Sequence, residues 1–174
     1  MVLECNFDDP TIPVLPKEDA TWDNSLGIDA VLKDDVYLAL SNGETIKSVK
    51  PFRVNESNLA KVSKAKELAK KGSRKRRKLA RKQAKIHQII ARQRKQHRYD
   101  TAHKIVDSGA KNIFVEDLNL QGLSKRNKAK LDEKGHYLPN GQSAKSGLNK
   151  SWSDAAFGKF FDILTASRTA FSDL

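Results

Sequence analysis

Two acidic residues stand inside apolar runs, and they are the residues of this chain best suited to chemistry. Asp29 lies in the run 26–32, and Glu116 lies in the run 113–118. A carboxylate among apolar neighbours costs free energy unless it meets a cation or a strong donor. If the two runs are adjacent strands, both carboxylates can bind Mg²⁺ or Mn²⁺, and a pair of such ions roughly 3.5–4 Å apart promotes phosphodiester hydrolysis. The alternative is that both acids point outward as ordinary surface residues.

The positive charge of the chain is concentrated in one segment. Residues 59–104 contain 18 Lys and Arg against two acids, a local net charge of +16, so the remainder carries −4 of the total of +12. Such asymmetry favours a nucleic-acid-binding face over general solubilising charge. A solvated charged helix is the alternative. The residues predicted to bind nucleic acid are Arg74, Lys75, Arg76, Arg77, Arg81, Lys85, Arg92, Arg94, Lys95 and Arg98.

Other kinds of site find little support in the sequence. The single cysteine, Cys5, cannot form an internal disulfide or a thiolate zinc cluster, and the four histidines have no metal-ligand spacing. No phosphate-binding glycine motif is present, so we expect neither zinc nor a small-molecule cofactor. No apolar run is long enough to span a bilayer and no signal peptide is recognisable, so a cytoplasmic protein without membrane contact is expected.

The elements that must position these residues can be read from the apolar pattern. An antiparallel three-strand meander is predicted over residues 26–32, 36–40 and 45–49, with a type I′ turn at Asn42-Gly43. A fourth strand is predicted over residues 113–118. Residues 55–107 have helical periodicity and predict two helices that fold back at Gly72, with a thin apolar seam and a broad basic exterior.

The remaining segments complete the predicted secondary structure. Residues 1–25 contain three prolines and are predicted to be an extended remnant of a preceding element. Residues 119–150 are predicted to form a polar loop. Residues 152–167 are predicted to form a helix that Ser153 or Asp154 caps. The order predicts an α/β fold with helices packed on a mixed sheet. The predicted boundaries are 1–25, a domain over 26–164 that includes a basic helical hairpin at 56–108, and a divergent tail over 165–174.

Three motifs now make a family recognisable. They are Gly27-Ile28-Asp29, then Val115-Glu116-Asp117-Leu118-Asn119 with Gly122, then Ser153-Asp154-Ala155-Ala156-Phe157-Gly158-Lys159-Phe160. With the basic stretch 73–98 between the first two, residues 26–164 resemble the TnpB/OrfB family of insertion-sequence transposases. The resemblance implies a RuvC-like, RNase H-type nuclease domain. In that family a guide RNA directs metal-dependent DNA cleavage by three acidic residues, of which Asp29 matches the first and Glu116 the second.

The chain also departs from this family. The family's third acid follows a zinc ribbon of paired CxxC motifs, and neither is present here. Residues 165–174 diverge, the family's N-terminal regions are missing, and Val31 replaces a usual glycine. Asp117, Asp154 and Asp173 are available acids, but none matches the missing position, and Asp154 reads as a helix cap. The expectation is a chain truncated at both ends, with Asp29 and Glu116 as catalytic and metal residues, weak or absent Mg²⁺ or Mn²⁺ binding, and impaired endonuclease activity.

The expected partners are DNA and a guide-type RNA. Three readings of the function stay open at this point: an active metal-dependent nuclease, a catalytically dead binding module of repressor type, and a non-functional remnant. An active nuclease predicts DNA cleavage that depends on Asp29. A dead binding module predicts salt-sensitive binding that survives loss of both acids. A non-functional remnant predicts that the cooperative unfolding transition is absent.

Overall fold

A four-stranded mixed sheet forms the centre of the fold. The computed structural model describes residues 20–116 and 118–171, without the side chains of 168–171. The strands are β1 (Ser25–Ala30), β2 (Val36–Leu40), β3 (Thr45–Lys47) and β4 (Asn112–Val115), in the order β3-β2-β1-β4. β4 is parallel to β1, and the other neighbours are antiparallel. The predicted meander and mixed sheet are therefore confirmed.

Some of the predictions fall on residues that the structure does not describe. The extended segment predicted for residues 1–25 lies outside the described residues as far as residue 19, and so do Cys5, Asp117 and Asp173. Those predictions stay predictions.

The type I′ turn of the meander lies at the first hairpin, and not at Asn42-Gly43 as the sequence predicts. Asp34 and Asp35 both have positive φ, 52° and 60°, and form a type I′ turn that Val36 closes with a hydrogen bond to the Lys33 carbonyl at 3.0 Å. The prediction of a type I′ turn at Asn42-Gly43 is wrong, because only Gly43 has a positive φ, 87°. A three-residue loop with glycine in its last position needs the left-handed conformation only once.

The basic segment forms a helical hairpin, as predicted. It consists of α1 (Pro51–Leu68) and α2 (Arg74–Val106), and we call it the arm. The helix α1 begins four residues earlier than residue 55, because Pro51 fits the first helical position. The Ser73 hydroxyl caps α2 by accepting a hydrogen bond from the Arg76 amide at 3.2 Å. The seam between the helices is thin and apolar. Its buried residues are Val62, Ile86 and Ile90.

The prediction of a loop over residues 119–150 is wrong. This segment contains α3 (Leu120–Ser124), a two-stranded ribbon of β5 (Lys130–Leu131) and β6 (Tyr137–Leu138), and most of α4 (Gln142–Ala155). The predicted cap at Ser153 or Asp154 is wrong as well, since α4 continues through both residues. It ends at Ala156 in a left-handed conformation (φ 52°), after which α5 (Phe157–Phe171) begins. Side-chain hydrogen bonds and tertiary contacts stabilise these polar elements, and the spacing of apolar residues in the sequence does not predict such contacts.

The main core lies on one face of the sheet, between the strands and the helices α2 and α5. Its largest fully buried side chains are Tyr37, Phe157, Phe160, Leu38 and Ile105. Tyr37 and Leu38 are consecutive yet both buried, because the pairing of β2 with β3 shifts between Val36 and Leu38, as a β-bulge produces. No helix within the described residues combines the length and the apolar character needed to cross a bilayer.

Candidate metal centre and nucleic-acid interface

Strand pairing brings Asp29 and Glu116 together. The parallel register of β1 and β4 ends with Ile28 opposite Val115, and the two acids are the next residues along each chain. Neighbouring strands lie about 4.8 Å apart, so the two carboxylates start from adjacent positions. Both side chains are exposed, and both line one groove of about 420 Å³. The predicted adjacency of the two runs is confirmed.

The two acids lie on the sheet face that the helices do not cover. Side chains alternate along a strand, and Leu26 and Ile28 point into the core, so Gly27 and Asp29 point the other way. Phe114 and Glu116 alternate in the same manner against buried Val115. The groove is thus an open surface of the sheet, accessible to a large ligand.

No third ligand completes this pair among the residues that the structure describes. Within residues 20–116 and 118–171 no group of three or more His, Cys, Asp or Glu side chains could hold a metal ion. Ser41 also lines the groove, but its hydroxyl accepts a hydrogen bond from the Gly27 amide at 2.9 Å. The arrangement can offer two carboxylates to a divalent ion and leaves further coordination to water or a ligand.

The predicted nucleic-acid-binding residues divide into two groups. Seven of them are exposed to solvent: Arg74, Lys75, Arg77, Arg81, Lys85, Arg92 and Lys95. Three are half-buried: Arg76, Arg94 and Arg98. Among the exposed residues, Lys95 places its Nζ 5.6 Å from the ring centre of Tyr99.

Two of the half-buried arginines have structural partners. Arg76 donates to the carbonyl oxygens of Lys66 at 2.8 Å and Ala69 at 3.3 Å, and so satisfies acceptors at the end of α1. Arg94 forms an ion pair with Asp154, at 2.8 Å from Nη2 to Oδ1. These two side chains hold the arm in shape, and we do not count them among the phosphate ligands.

The densest cations lie far from the acidic pair. Ala102 of α2 is buried against the sheet, whereas the stretch 74–85 stands at the opposite end of the same helix. At 1.5 Å rise per residue the separation along the axis is roughly 25–40 Å. We call residues 70–85 the arm tip. A nucleic acid must be long to contact the arm tip and the acidic pair together.

Comparison with protein families identifies the chain. The family model described as "Probable transposase", of the OrfB_IS605 type, matches residues 8–127, which is more than two thirds of the chain. The chain belongs to this OrfB family. No curated protein matches it. The matched range includes Asp29, Glu116 and the whole arm, whereas the motif at 153–160 lies beyond it.

A short helix explains one of the recognisable motifs of this OrfB-family chain. Asn119 caps α3 by accepting a hydrogen bond from the Gly122 amide at 2.8 Å. A Cβ on Gly122 would approach the Asn119 carboxamide to 2.9–3.0 Å, which is too close for ordinary packing. Asparagine and glycine at this spacing therefore give α3 a capped first turn.

The motif at 153–160 serves as a junction between elements. Buried Asp154 accepts hydrogen bonds from the backbone amides of Phe52 at 3.0 Å and Arg53 at 3.2 Å, and thus caps the N-terminus of α1. It also accepts a bond from Arg94 Nε at 2.9 Å. Asp154 thus caps a helix about 100 residues earlier in sequence, and not the helix over 152–167 that it was predicted to cap. Sequence reasoning missed this because nothing local links the two segments.

An aromatic cluster continues the junction into the core. Phe157 stacks on Tyr37 at 4.9 Å between ring centres, and Phe160 meets the same ring edge-on at 5.7 Å. The Tyr37 hydroxyl donates to the Ala155 carbonyl at 3.2 Å, and burial raises the pKa of Tyr37 above its usual value. The cluster fixes α5 on the sheet, on the side opposite to the acidic pair.

His97 belongs to this packed region. The ring of His97 packs edge-on against Tyr37, with 4.7 Å between the ring centres. Burial lowers the pKa of His97 below its ordinary value. Nearby Asp100 opposes this shift, and Arg98 adds to it. His97 is therefore neutral in the folded protein near neutral pH.

Proposed function

We propose that this OrfB-family chain is a transposase-type protein that binds DNA and RNA through its arm and carries an incomplete RuvC-like site for metal-dependent endonuclease chemistry. The observation that carries the proposal is the parallel pairing of β1 with β4, which sets Asp29 beside Glu116 on an open sheet face. A parallel fourth strand beside the first strand of an antiparallel meander is compatible with an RNase H-like sheet. Residues 26–164 would form the nuclease-like domain.

The donor set fits a hard divalent ion. Two adjacent carboxylates repel each other, and within the described part of the chain neither forms an ion pair with a cationic side chain. Asp29 and Glu116 would hold Mg²⁺ or Mn²⁺, and the bound ion would supply Lewis-acid stabilisation of charge on a phosphodiester. The contribution of the chain itself is to fix the spacing of the two carboxylates by strand pairing.

The arm supplies the affinity in this proposal. Its exposed cations neutralise phosphates and release counterions, which makes binding strongly salt-dependent. A duplex of about 10 base pairs is roughly 34 Å long, close to the distance from the arm tip to the sheet. One ligand of that length can contact both parts of the molecule.

A second candidate function is a catalytically dead binding module of repressor type. It is favoured by the lack of a third metal-ligating group among the described residues. In that case affinity is independent of both acids. The two candidates make the same prediction for the arm and opposite predictions for Asp29 and Glu116.

A charge-neutralisation experiment tests the arm. Fluorescence anisotropy with labelled DNA and RNA duplexes would be recorded over a range of salt concentrations. One variant changes four exposed cations of the arm tip to glutamine: Arg74, Lys75, Arg77 and Arg81. The matched control changes four exposed lysines elsewhere: Lys33, Lys47, Lys111 and Lys159. In the arm-tip variant the slope of log K against log salt concentration should become shallower by up to about 3 to 4, since four phosphate contacts are lost. In the control variant the slope should change little. Equal losses would refute the assignment of the arm.

A metal-binding and cleavage experiment separates the two candidates. Mn²⁺ binding followed by electron paramagnetic resonance should weaken in Asp29→Asn and in Glu116→Gln, but not in Asp162→Asn, an exposed carboxylate on α5. Plasmid nicking in Mg²⁺ or Mn²⁺ is then compared among the same proteins. Nicking that depends on Asp29 supports the nuclease. Identical background cutting in all of them supports the binding module, and unchanged Mn²⁺ binding rules out the metal site.

A further inference from the structure

The ribbon of β5 and β6 is a preorganised surface hairpin. Its turn is held by Asp132, whose Oδ1 accepts hydrogen bonds from the amides of Lys134 at 2.9 Å and His136 at 2.8 Å. Gly135, with φ 82°, donates to the Asp132 carbonyl at 3.1 Å. The turn is therefore fixed before any ligand arrives, which lowers the entropy lost on binding.

The base of the ribbon is held as firmly as its turn. The Asn127 amide donates to Gln142 Oε1 at 2.8 Å, and the Asn127 side chain donates to the Asn140 carbonyl at 2.8 Å. Asn140 in turn donates to the Lys128 carbonyl at 2.9 Å. These bonds fasten the ribbon to the start of α4, so its position relative to the arm is defined.

The ribbon exposes apolar side chains that the fold does not use. Tyr137 is 81% exposed, Leu131 55% and Leu138 47%, and none of them belongs to a core cluster. Leu131 and Tyr137 are paired directly across the two strands and share one face. Exposed apolar side chains that are grouped together and surrounded by polar residues are typical of a surface that meets a ligand.

The charge around these side chains is positive. Residues 125–138 contain five Lys and Arg against two acids, one of which, Asp132, is bound by His136 within the turn. A groove of about 770 Å³ leads from the ribbon towards the arm. It is lined by Arg126 and Gln142 at the base of the ribbon and by His87 and Arg94 of α2. A polyanion that lies on the arm can continue along this groove.

We infer that the β5–β6 ribbon binds an unpaired stretch of DNA, with a base stacked on Tyr137 and the adjoining phosphates beside the surrounding cations. The inference rests on the proposed binding of nucleic acid by the arm and adds a second contact that selects single strands. Stacking on an exposed aromatic ring requires an unstacked base, which a duplex does not offer, and it tolerates any base.

The test uses the whole chain and two labelled probes, an oligothymidylate of about 12 nucleotides and a duplex of the same length. Tyr137→Ala should weaken oligothymidylate binding between about 5- and 150-fold and change duplex binding little. Tyr137→Phe retains the ring and should bind as wild type does. The control is Trp22→Ala, since Trp22 is 94% exposed and lies outside the ribbon. Thermal unfolding followed by circular dichroism should give an unchanged melting temperature in all three variants.

Several outcomes would overturn the inference. These are wild-type binding of the oligothymidylate by Tyr137→Ala, an equal loss on the duplex, or an equal effect of Trp22→Ala. A loss in Tyr137→Ala together with an equal loss in Tyr137→Phe would also overturn it, because stacking needs only the ring. The arm variant with four neutralised cations distinguishes this failure from failure of the proposed function. If the arm-tip variant retains wild-type affinity and salt dependence while Tyr137→Ala loses oligothymidylate binding, the proposed function fails and the ribbon contact stands.

Discussion

Replacement of Asp154 by alanine tests how the arm is joined to the rest of the molecule. The Asp154 side chain is 2% exposed and the Arg94 side chain is 25% exposed, so their ion pair is largely removed from water. The Asp154 carboxylate accepts hydrogen bonds from two backbone amides of α1 and from the Arg94 guanidinium. Alanine would leave a mostly buried cation and two helix-terminal amides without this partner.

The magnitude follows from these contacts. Removal of one member of a buried ion pair costs about 3–5 kcal/mol, and loss of a helix cap costs about 0.5–2 kcal/mol. The two losses share one side chain and are not additive, and the partial exposure of Arg94 lets water compensate in part. We expect Asp154→Ala to lower the free energy of unfolding by about 3–5 kcal/mol. Asp154→Asn should lose about 2 kcal/mol, because its amide group must face a donor.

Urea unfolding followed by circular dichroism is the assay. The midpoint concentration and the slope together give the free energy of unfolding. The matched control is Asp162→Ala, an exposed carboxylate paired with Lys159 at 3.5 Å, which should change stability by less than about 0.5 kcal/mol. A loss below about 1 kcal/mol in Asp154→Ala, or equal losses in the two alanine variants, would refute the reasoning that this carboxylate joins the arm to the core.

Three further predictions concern the packing around the site. Tyr37→Phe removes the hydrogen bond to the Ala155 carbonyl but retains the ring, and should lower the free energy of unfolding in urea by about 1 kcal/mol. Gly122→Ala pushes against the Asn119 cap and should lower it by about 1 kcal/mol. Because burial lowers the pKa of His97, the unfolded chain takes up a proton first as the pH falls below 6.5, so stability should fall over that range until the folded pKa is reached. His97→Gln should remove that part of the dependence of stability on pH.

Each of these has a matched control. Tyr99→Phe alters a partly exposed ring on the arm and should be neutral. Gly147→Ala adds a methyl group inside α4 where nothing lies within 4 Å, so it should be neutral or stabilising. His87→Gln changes an exposed histidine and should leave the pH dependence intact. A control that behaves like its partner variant would show that the named contact is not the cause.

The features that depend on short-range pattern were predictable from the order of the residues. Alternation and turn residues predict the three-strand meander, and three- and four-residue spacing with Gly72 predicts the arm. Both signals depend on the local geometry of the backbone, so they survive without knowledge of the fold. The concentration of cations in the arm was also readable, since charge is a property of composition.

Contacts between residues far apart in sequence follow from the folded structure and not from local pattern. The register of β1 and β4 sets Asp29 beside Glu116, and the fold assigns Arg94 to Asp154 rather than to a phosphate. The segment 119–150 has polar composition and no clear period, so its helices and ribbon could not be read from pattern. They exist because side chains such as Asn119 and Asn127 satisfy backbone groups at specific distances. Hydrogen bonds of this kind depend on position in space, which residue order does not contain.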